Sequence, residues 1–74
     1  MGLLGGISGK EAVRRFEHIG YRVTHQRGSH VRLWHTDTFR RKPLTVPMHR
    51  ELKKGLLRQL IQDAGISVQE FHEL

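Results

Sequence analysis

Two segments with the 3.6-residue hydrophobic repeat of an α-helix flank a central segment in which apolar and polar residues alternate. The alternation runs through Tyr21–Gln26 and again through His30–His35, as is typical of half-buried strands. Apolar residues with a helical spacing form no continuous apolar face if the segment is an extended strand. Alternating residues likewise form no such face if their segment is a helix. The chain is therefore restricted to the order helix, strands, helix. The two helical stripes consist of Ala12, Val13, Phe16 and Ile19, and of Leu52, Leu56, Leu57, Leu60, Ile61 and Ala64.

Capping residues indicate where the helices begin and end. Ser8 and Glu11 have the spacing of a capping box at the start of the first helix, and Gly20 is placed to end it. Gly65 ends the second stripe in the same way. A second capping-box pattern, Ser67–Glu70, predicts a short extra helix at the C-terminal end.

Turn residues divide the central segment into three strands. Arg27-Gly28 is typical of the tip of a tight hairpin between the two alternating stretches. Thr36–Lys42 is polar and basic and predicts a loop. Pro43–Pro47 predicts a short third strand at a sheet edge, because proline cannot donate a ladder hydrogen bond.

These elements predict an α+β fold: helix, three-stranded antiparallel sheet, helix, a short extra C-terminal helix, and all helices on one face of the sheet. A period of two then separates the strand residues into a core face and an open face. The predicted core places Val23, Val31, Leu33, Leu44 and Val46 beneath Phe16, Leu56 and Leu60. The predicted open face carries Arg22, Thr24, Gln26, His30, Arg32 and Trp34.

Size and charge limit what this domain can do. The 74 residues suffice for one domain, which we assign to residues 8–74, with residues 1–7 as a flexible lead-in. A core this small leaves little room for an enclosed pocket, so chemistry belongs on an open surface. A net charge of +6 favours nucleic acid as the partner. We expect no membrane association, because no apolar run approaches the roughly 20 residues of a membrane span. Without cysteine and without a signal-peptide pattern, we expect a cytoplasmic protein.

Several short motifs in order resemble the HicA-like (YcfA-like) family of mRNA interferase toxins, over nearly the whole chain. Ser8–Glu11 with Gly20-Tyr21 resembles the family's first helix and the start of its first strand. Arg27–His30 resembles its central Gly-Ser-His signature. Thr45–His49 resembles its third strand and trailing histidine, and Glu51–Leu57 with Ala64–Ser67 its final helix. Two departures are a longer loop over Thr36–Pro43 and a leucine at position 56, where the family often has threonine.

The resemblance implies a double-stranded-RNA-binding-domain-like fold and cleavage of mRNA, and we expect this cleavage to need no cofactor and no metal ion. It implies that His30, the histidine of the signature, is the catalytic residue. It also implies a HicB-like antitoxin as the protein partner, so that we expect contact with DNA only indirectly, through the complex with that antitoxin.

Elementary chemistry is compatible with a single histidine acting on RNA. The 2′-hydroxyl beside each phosphate is a built-in nucleophile, so the enzyme needs an acid–base group and cations around the phosphate. We predict His30 as that group and Arg27, Arg32 and Lys53 as phosphate contacts. Gly28 and Ser29 would form the turn and offer backbone N–H groups to the RNA. The alternative is that His30 is an ordinary surface histidine without a catalytic role.

The other polar candidates remain open at this point. His49 either assists His30 or caps a loop, and His25 and His35 either approach His30 across the hairpin or do not. Zinc binding by histidines alone is disfavoured, because the spacing of a metalloprotease helix is missing. Ser29 as a hydrolase nucleophile lacks the strand–turn–helix setting that such a serine needs.

Trp34 has three interpretations: an RNA-stacking platform, a part of the antitoxin interface, or a packing partner of the long loop. We favour the interface. The basic run Arg40–Lys42 is either a solvated loop or an additional attraction for phosphate.

The main alternative to a nuclease is a catalytically silent double-stranded-RNA-binding module. A DNA-binding accessory subunit is a third class, disfavoured because the sequence lacks the usual pattern of a recognition helix.

Overall fold

The computed structural model describes residues 4–74 and confirms the predicted α+β fold and element order. A helix is followed by a three-stranded antiparallel sheet and two further helices, in a double-stranded-RNA-binding-domain-like arrangement. The elements are α1 (Gly9–His18), β1 (Arg22–Arg27), β2 (His30–Trp34), β3 (Leu44–Pro47), α2 (Lys54–Asp63) and α3 (Val68–His72). In the part of the chain from residue 4 onward, no helix is both long and apolar enough to cross a bilayer.

The second half of the predicted flexible lead-in, residues 4–7, packs against the domain. Leu4 and Ile7 are buried in the core, and the backbone N–H of Leu52 donates to the carbonyl oxygen of Ile7 at 2.8 Å. Residues 1–3 of the predicted lead-in lie outside the described residues.

The helix ends follow the predicted caps with one difference. The Ser67 box is complete, whereas at Ser8 only the hydroxyl takes part, accepting from the Glu11 N–H at 3.0 Å. The Glu11 carboxylate instead accepts from Arg14 at 2.6 Å and Arg15 at 2.7 Å. These two side-chain hydrogen bonds lower the pKa of Glu11 to about 2.

The sheet has the order β1-β2-β3, so β2 is hydrogen-bonded on both sides. Its burial alternates: Val31 and Leu33 face the helices, and His30, Arg32 and Trp34 are exposed on the other side. The core between the sheet and the helices contains most of the predicted residues. It also contains Tyr21 and Phe71, whose rings flank Phe16 at centroid distances of 5.9 and 5.3 Å.

Two predicted core residues are exposed. Val23 has 44% of its surface exposed, because β1 is an edge strand that no helix packs against closely. Leu56 has 38% exposed. The buried stripe of α2 is Leu57, Leu60, Ile61 and Ala64, and the neighbouring position on a helix points about 100° away from it.

A bulge in β1 corrects the predicted open face. Val23 pairs with Leu33, but the next residue paired to β2 is His25, opposite Arg32. One extra residue, Thr24, is therefore accommodated, and the alternation beyond it is reversed. Gln26, which was predicted on the open face, pairs with Val31 and lies on the helix side, where it lines a groove beside α1. His25 and Arg27 take the open face instead.

The first turn of α1 approaches β3 so closely that only glycine fits there. The Gly9 N–H donates to the carbonyl oxygen of His49 at 3.0 Å, and a Cβ at Gly9 would lie 2.0 Å from the carbonyl oxygen of Pro47. We expect Gly9→Ala to lower the free energy of unfolding by about 1–3 kcal/mol, the usual cost of overpacking. Denaturant unfolding measures this.

Gly55→Ala is the matched control, because Gly55 is also in the first turn of a helix and a Cβ there would meet no atom within 4 Å. We expect it to stabilise the protein by roughly 0.5–1 kcal/mol, from helix propensity alone. Equal effects of the two substitutions would contradict the close packing of α1 against β3.

Candidate nucleic-acid interface

The face of the sheet opposite the helices, called here the open face, is formed by the outward side chains of β1 and β2. All of these residues are exposed. None of the described residues that form it is acidic, so the face presents a positive field that suits phosphate. They are Arg22, Thr24, His25, Arg27, His30, Arg32 and Trp34.

His30 and Arg27 are directly opposite each other at the closed end of the hairpin. Residues paired in this way have Cβ atoms about 5 Å apart. The connecting turn is Gly28-Ser29; Gly28 has φ +58°, and no other residue of the described turn has positive φ, which is the pattern of a type II′ turn. This two-residue turn sets the register that pairs Arg27 with His30.

The backbone around His30 is held while its ring stays in solvent. His30 pairs with Pro47 on the other side, and the Ser29 carbonyl oxygen accepts from the Met48 N–H at 2.6 Å. A Cβ at Gly28 would meet nothing within 4 Å, so the turn projects freely. An exposed side chain on a fixed backbone can contact a large ligand without a pocket around it.

The next pair along the hairpin is His25 with Arg32, on the same face. The Arg32 Nη1 donates to the Thr45 hydroxyl at 2.9 Å, which orients this guanidinium toward β3. Two imidazoles and two guanidiniums thus occupy two successive outward-facing pairs of the hairpin, with the inward-facing pair Gln26–Val31 between them. Sequence alternation alone misses His25 here, because the bulge that turns it outward has no clear signal in the sequence.

The other histidines predicted as candidates have backbone roles. His35 accepts from the Asp37 N–H through Nδ1 at 2.9 Å, which leaves Nε2 to donate to the Ile19 carbonyl oxygen at 2.8 Å. Its ring packs edge-on against Tyr21, with centroids 5.0 Å apart. His35 is thereby fixed at the far end of β2 from His30. His49 is exposed, and its carbonyl oxygen binds the start of α1.

The predicted phosphate contacts are only partly brought together. Arg27 and Arg32 lie on the open face, but Lys53 lies outside the sheet, at the start of α2. The α2 N-terminus has no capping side chain among the described residues and no acidic residue in its first turn, so its N–H groups and Lys53 favour an anion.

The long loop is anchored to the rest of the domain. The Tyr21 hydroxyl donates to the Lys42 carbonyl oxygen at 2.7 Å, and burial raises the pKa of Tyr21 to about 12. Arg41 donates to the Ala64 carbonyl oxygen at 2.7 Å, at the end of α2, so this member of the basic run is a structural cap. Phe39 is 97% exposed, and its position in a polar loop gave no signal of a functional role.

Trp34 lies at the opposite end of β2 from His30 and is 45% exposed. It pairs directly with Arg22, and both line a cleft of about 690 Å³ below the start of the long loop.

Across residues 4–74, no group of three or more His, Asp or Glu side chains is arranged to hold a metal ion.

Comparison with known protein families gives a match over most of the chain. The model of a family described as "HicA toxin of bacterial toxin-antitoxin" matches residues 9–66 of the chain, from the first residue of α1 to beyond the end of α2. None of the curated proteins matches.

The geometry separates a structural histidine from an exposed one. We expect His35→Ala to lower the free energy of unfolding by about 1–3 kcal/mol, because it leaves the Ile19 carbonyl and Asp37 N–H without their partner. His25→Ala, at an exposed position, should change it by no more than about 0.5 kcal/mol. Denaturant unfolding of both variants measures these changes. An unchanged free energy of unfolding in His35→Ala would contradict the structural role of the His35 ring.

Proposed function

We propose that this chain, which belongs to the HicA toxin family of bacterial toxin–antitoxin systems, cleaves mRNA as an endonuclease, with His30 as the acid–base residue. The family assignment identifies it as the toxin of a toxin–antitoxin pair. The single observation that carries the assignment of the site is the Arg27–His30 pair, an exposed imidazole opposite a guanidinium on a face without acidic side chains among its described residues.

The reaction that this pair supports needs no metal ion. The imidazole of His30 takes the proton of a ribose 2′-hydroxyl while the 2′-oxygen bonds to the adjacent phosphorus. The bond from phosphorus to the 5′-oxygen breaks, and that oxygen takes a proton from the imidazolium or from water. The products are a 2′,3′-cyclic phosphate and a 5′-hydroxyl, and no bond changes in the protein.

Cations around the scissile phosphate would stabilise the transition state. Arg27 is paired directly with His30, and Arg32 is two residues along the same strand face, roughly 7 Å away. Guanidinium groups suit phosphate because they donate in a planar fork. We propose these two as the main contacts, with the Gly28 and Ser29 N–H groups at the turn and Lys53 farther along the RNA.

The partner that follows from the family is an antitoxin, and we propose that it is HicB-like and covers the open face. Such a protein would bury His30, Arg32 and Trp34 together and exclude the substrate. We place the activity in the cytoplasm, where mRNA is found, and expect DNA to be contacted only through the complex with the antitoxin.

We expect His30→Ala to reduce cleavage of single-stranded RNA by about 10²–10⁴-fold, the usual contribution of a general acid–base group. Because His30 is exposed, the melting temperature and RNA affinity of the His30→Ala protein should stay near those of the unchanged protein. The assay follows a labelled RNA in the presence of EDTA. His72→Ala, which removes an exposed imidazole from α3, is the matched control and should cleave normally.

Four outcomes would contradict this assignment. Cleavage retained by His30→Ala would remove His30 from the mechanism and make His49 the next candidate. Loss of folding would make it a structural histidine. Binding without any cleavage by the unchanged protein would favour a silent double-stranded-RNA-binding module, and cleavage abolished by EDTA would indicate a metal-dependent reaction.

For the antitoxin complex, we expect Trp34→Ala to weaken binding by about 30-fold or more, as for an aromatic hot spot at an interface centre. The overall cleavage rate of the free protein at saturating RNA should change much less than the antitoxin affinity, because Trp34 is four residues along β2 from His30. Titration of purified antitoxin into each variant gives the affinity. An unchanged affinity would place the interface elsewhere.

A further inference from the structure

We propose that the cleft beside Trp34 binds one unpaired nucleobase of the RNA, at a fixed distance from the bond that is cut. This inference rests on the proposed function for the identity of the ligand, and it adds a specificity-determining subsite to it. The cleft lies at the end of the open face opposite to His30, between the start of β1 and the loop after β2.

The cleft has the size of a site for a small planar ligand. Its volume of about 690 Å³ falls within the roughly 300–1,000 Å³ of typical small-molecule sites. It is open on one side, so a base that is still attached to its strand can enter. The side chains that line it are Arg22, Thr24, Trp34, His35, Thr36 and Thr38.

The lining combines the three kinds of group that recognise a base with its phosphate. Trp34 is 45% exposed and offers an aromatic surface for stacking. Arg22 is paired directly with Trp34, so the Cβ atoms of the two residues lie about 5 Å apart and a cationic side chain shares the face of the indole. Threonine hydroxyls can donate to or accept from the edge of a base. Among the described residues of the lining none is acidic, which suits an anionic strand.

One wall of the cleft is held rigidly before any ligand arrives. The His35 ring is fixed by hydrogen bonds at both nitrogens, to Ile19 and Asp37, and by its contact with Tyr21. A Cβ at Gly20 would come within 2.8 Å of the His35 Nε2, so the backbone fits against this ring. A preformed wall lowers the entropy cost of binding, which favours a specific ligand.

The position of the cleft on β2 sets its distance from the site of cleavage. Trp34 is four residues from His30 on the same face, which corresponds to about 13 Å at the rise of a strand. A stacked nucleic-acid strand advances about 3.4 Å per nucleotide, so this distance spans about four nucleotides, or fewer in an extended strand. The cleft therefore reads a base near the cut but not at it.

The single tryptophan of the chain makes direct observation feasible, because all indole fluorescence comes from Trp34. The His30→Ala protein is titrated with a short unstructured oligoribonucleotide and with a matched abasic ribose-phosphate oligomer. We expect quenching of the fluorescence by the first and little by the second. Binding of the oligoribonucleotide, followed by anisotropy of a label on the RNA, without any change in fluorescence would overturn the proposal.

A randomised RNA library tests the specificity. With His30 intact, cleaved products should share a base preference at one fixed position a few nucleotides from the cut. Trp34→Phe should retain this preference, while Trp34→Ala should lose it and bind the oligoribonucleotide about 5- to 150-fold more weakly, the range for base–aromatic stacking. Phe39→Ala removes another exposed aromatic ring outside the cleft and should leave the preference unchanged.

The outcomes separate this inference from the function on which it rests. An unchanged preference in Trp34→Ala, with only antitoxin binding weakened, would overturn the cleft as a base site and assign it to the protein interface. Loss of the preference in Phe39→Ala instead would overturn it as well. If the unchanged protein does not cleave RNA but its RNA still quenches Trp34, the nuclease proposal fails and the base site stands.

Discussion

The central strand β2 is hydrogen-bonded to β1 on one side and to β3 on the other, and every feature of the candidate site depends on that pairing. Its inward residues, Val31 and Leu33, pack into the core, while His30, Arg32 and Trp34 are presented to solvent. A slip of one residue would exchange the two sets and leave neither a core nor a site. The same apolar packing that folds this small domain therefore also orients its candidate chemistry.

The turn between β1 and β2 supports this arrangement locally. Two residues, Gly28 and Ser29, close the hairpin, and Gly28 adopts the left-handed conformation that such a turn requires. The Ser29 carbonyl is tied to β3 through Met48. A hydrogen-bonded turn at the edge of an open surface lets a 74-residue protein hold the proposed catalytic side chain without enclosing it. A long flexible substrate such as RNA can be contacted from outside in this way.

The opposite end of β2 is organised differently, by side chains that bind backbone. His35 joins the end of α1 to the start of the long loop, Tyr21 joins the end of the same helix to Lys42, and Arg41 joins the loop to the end of α2. These bonds hold the long loop in place. As a result, the open face has two parts: a basic region near His30 and a cleft beside Trp34.

The sequence by itself determined the element order, the caps at Ser67 and Gly65, the hairpin turn and the outward position of His30, because these depend on residues close together along the chain. Only the tertiary structure decided which side His25 and Gln26 take, since the bulge that reverses β1 arises from pairing with β2. It also decided the exposure of Val23 and Leu56 and the structural role of His35. Each of these follows from which neighbours pack against a residue, and the hydrophobic period of a single segment does not contain that information.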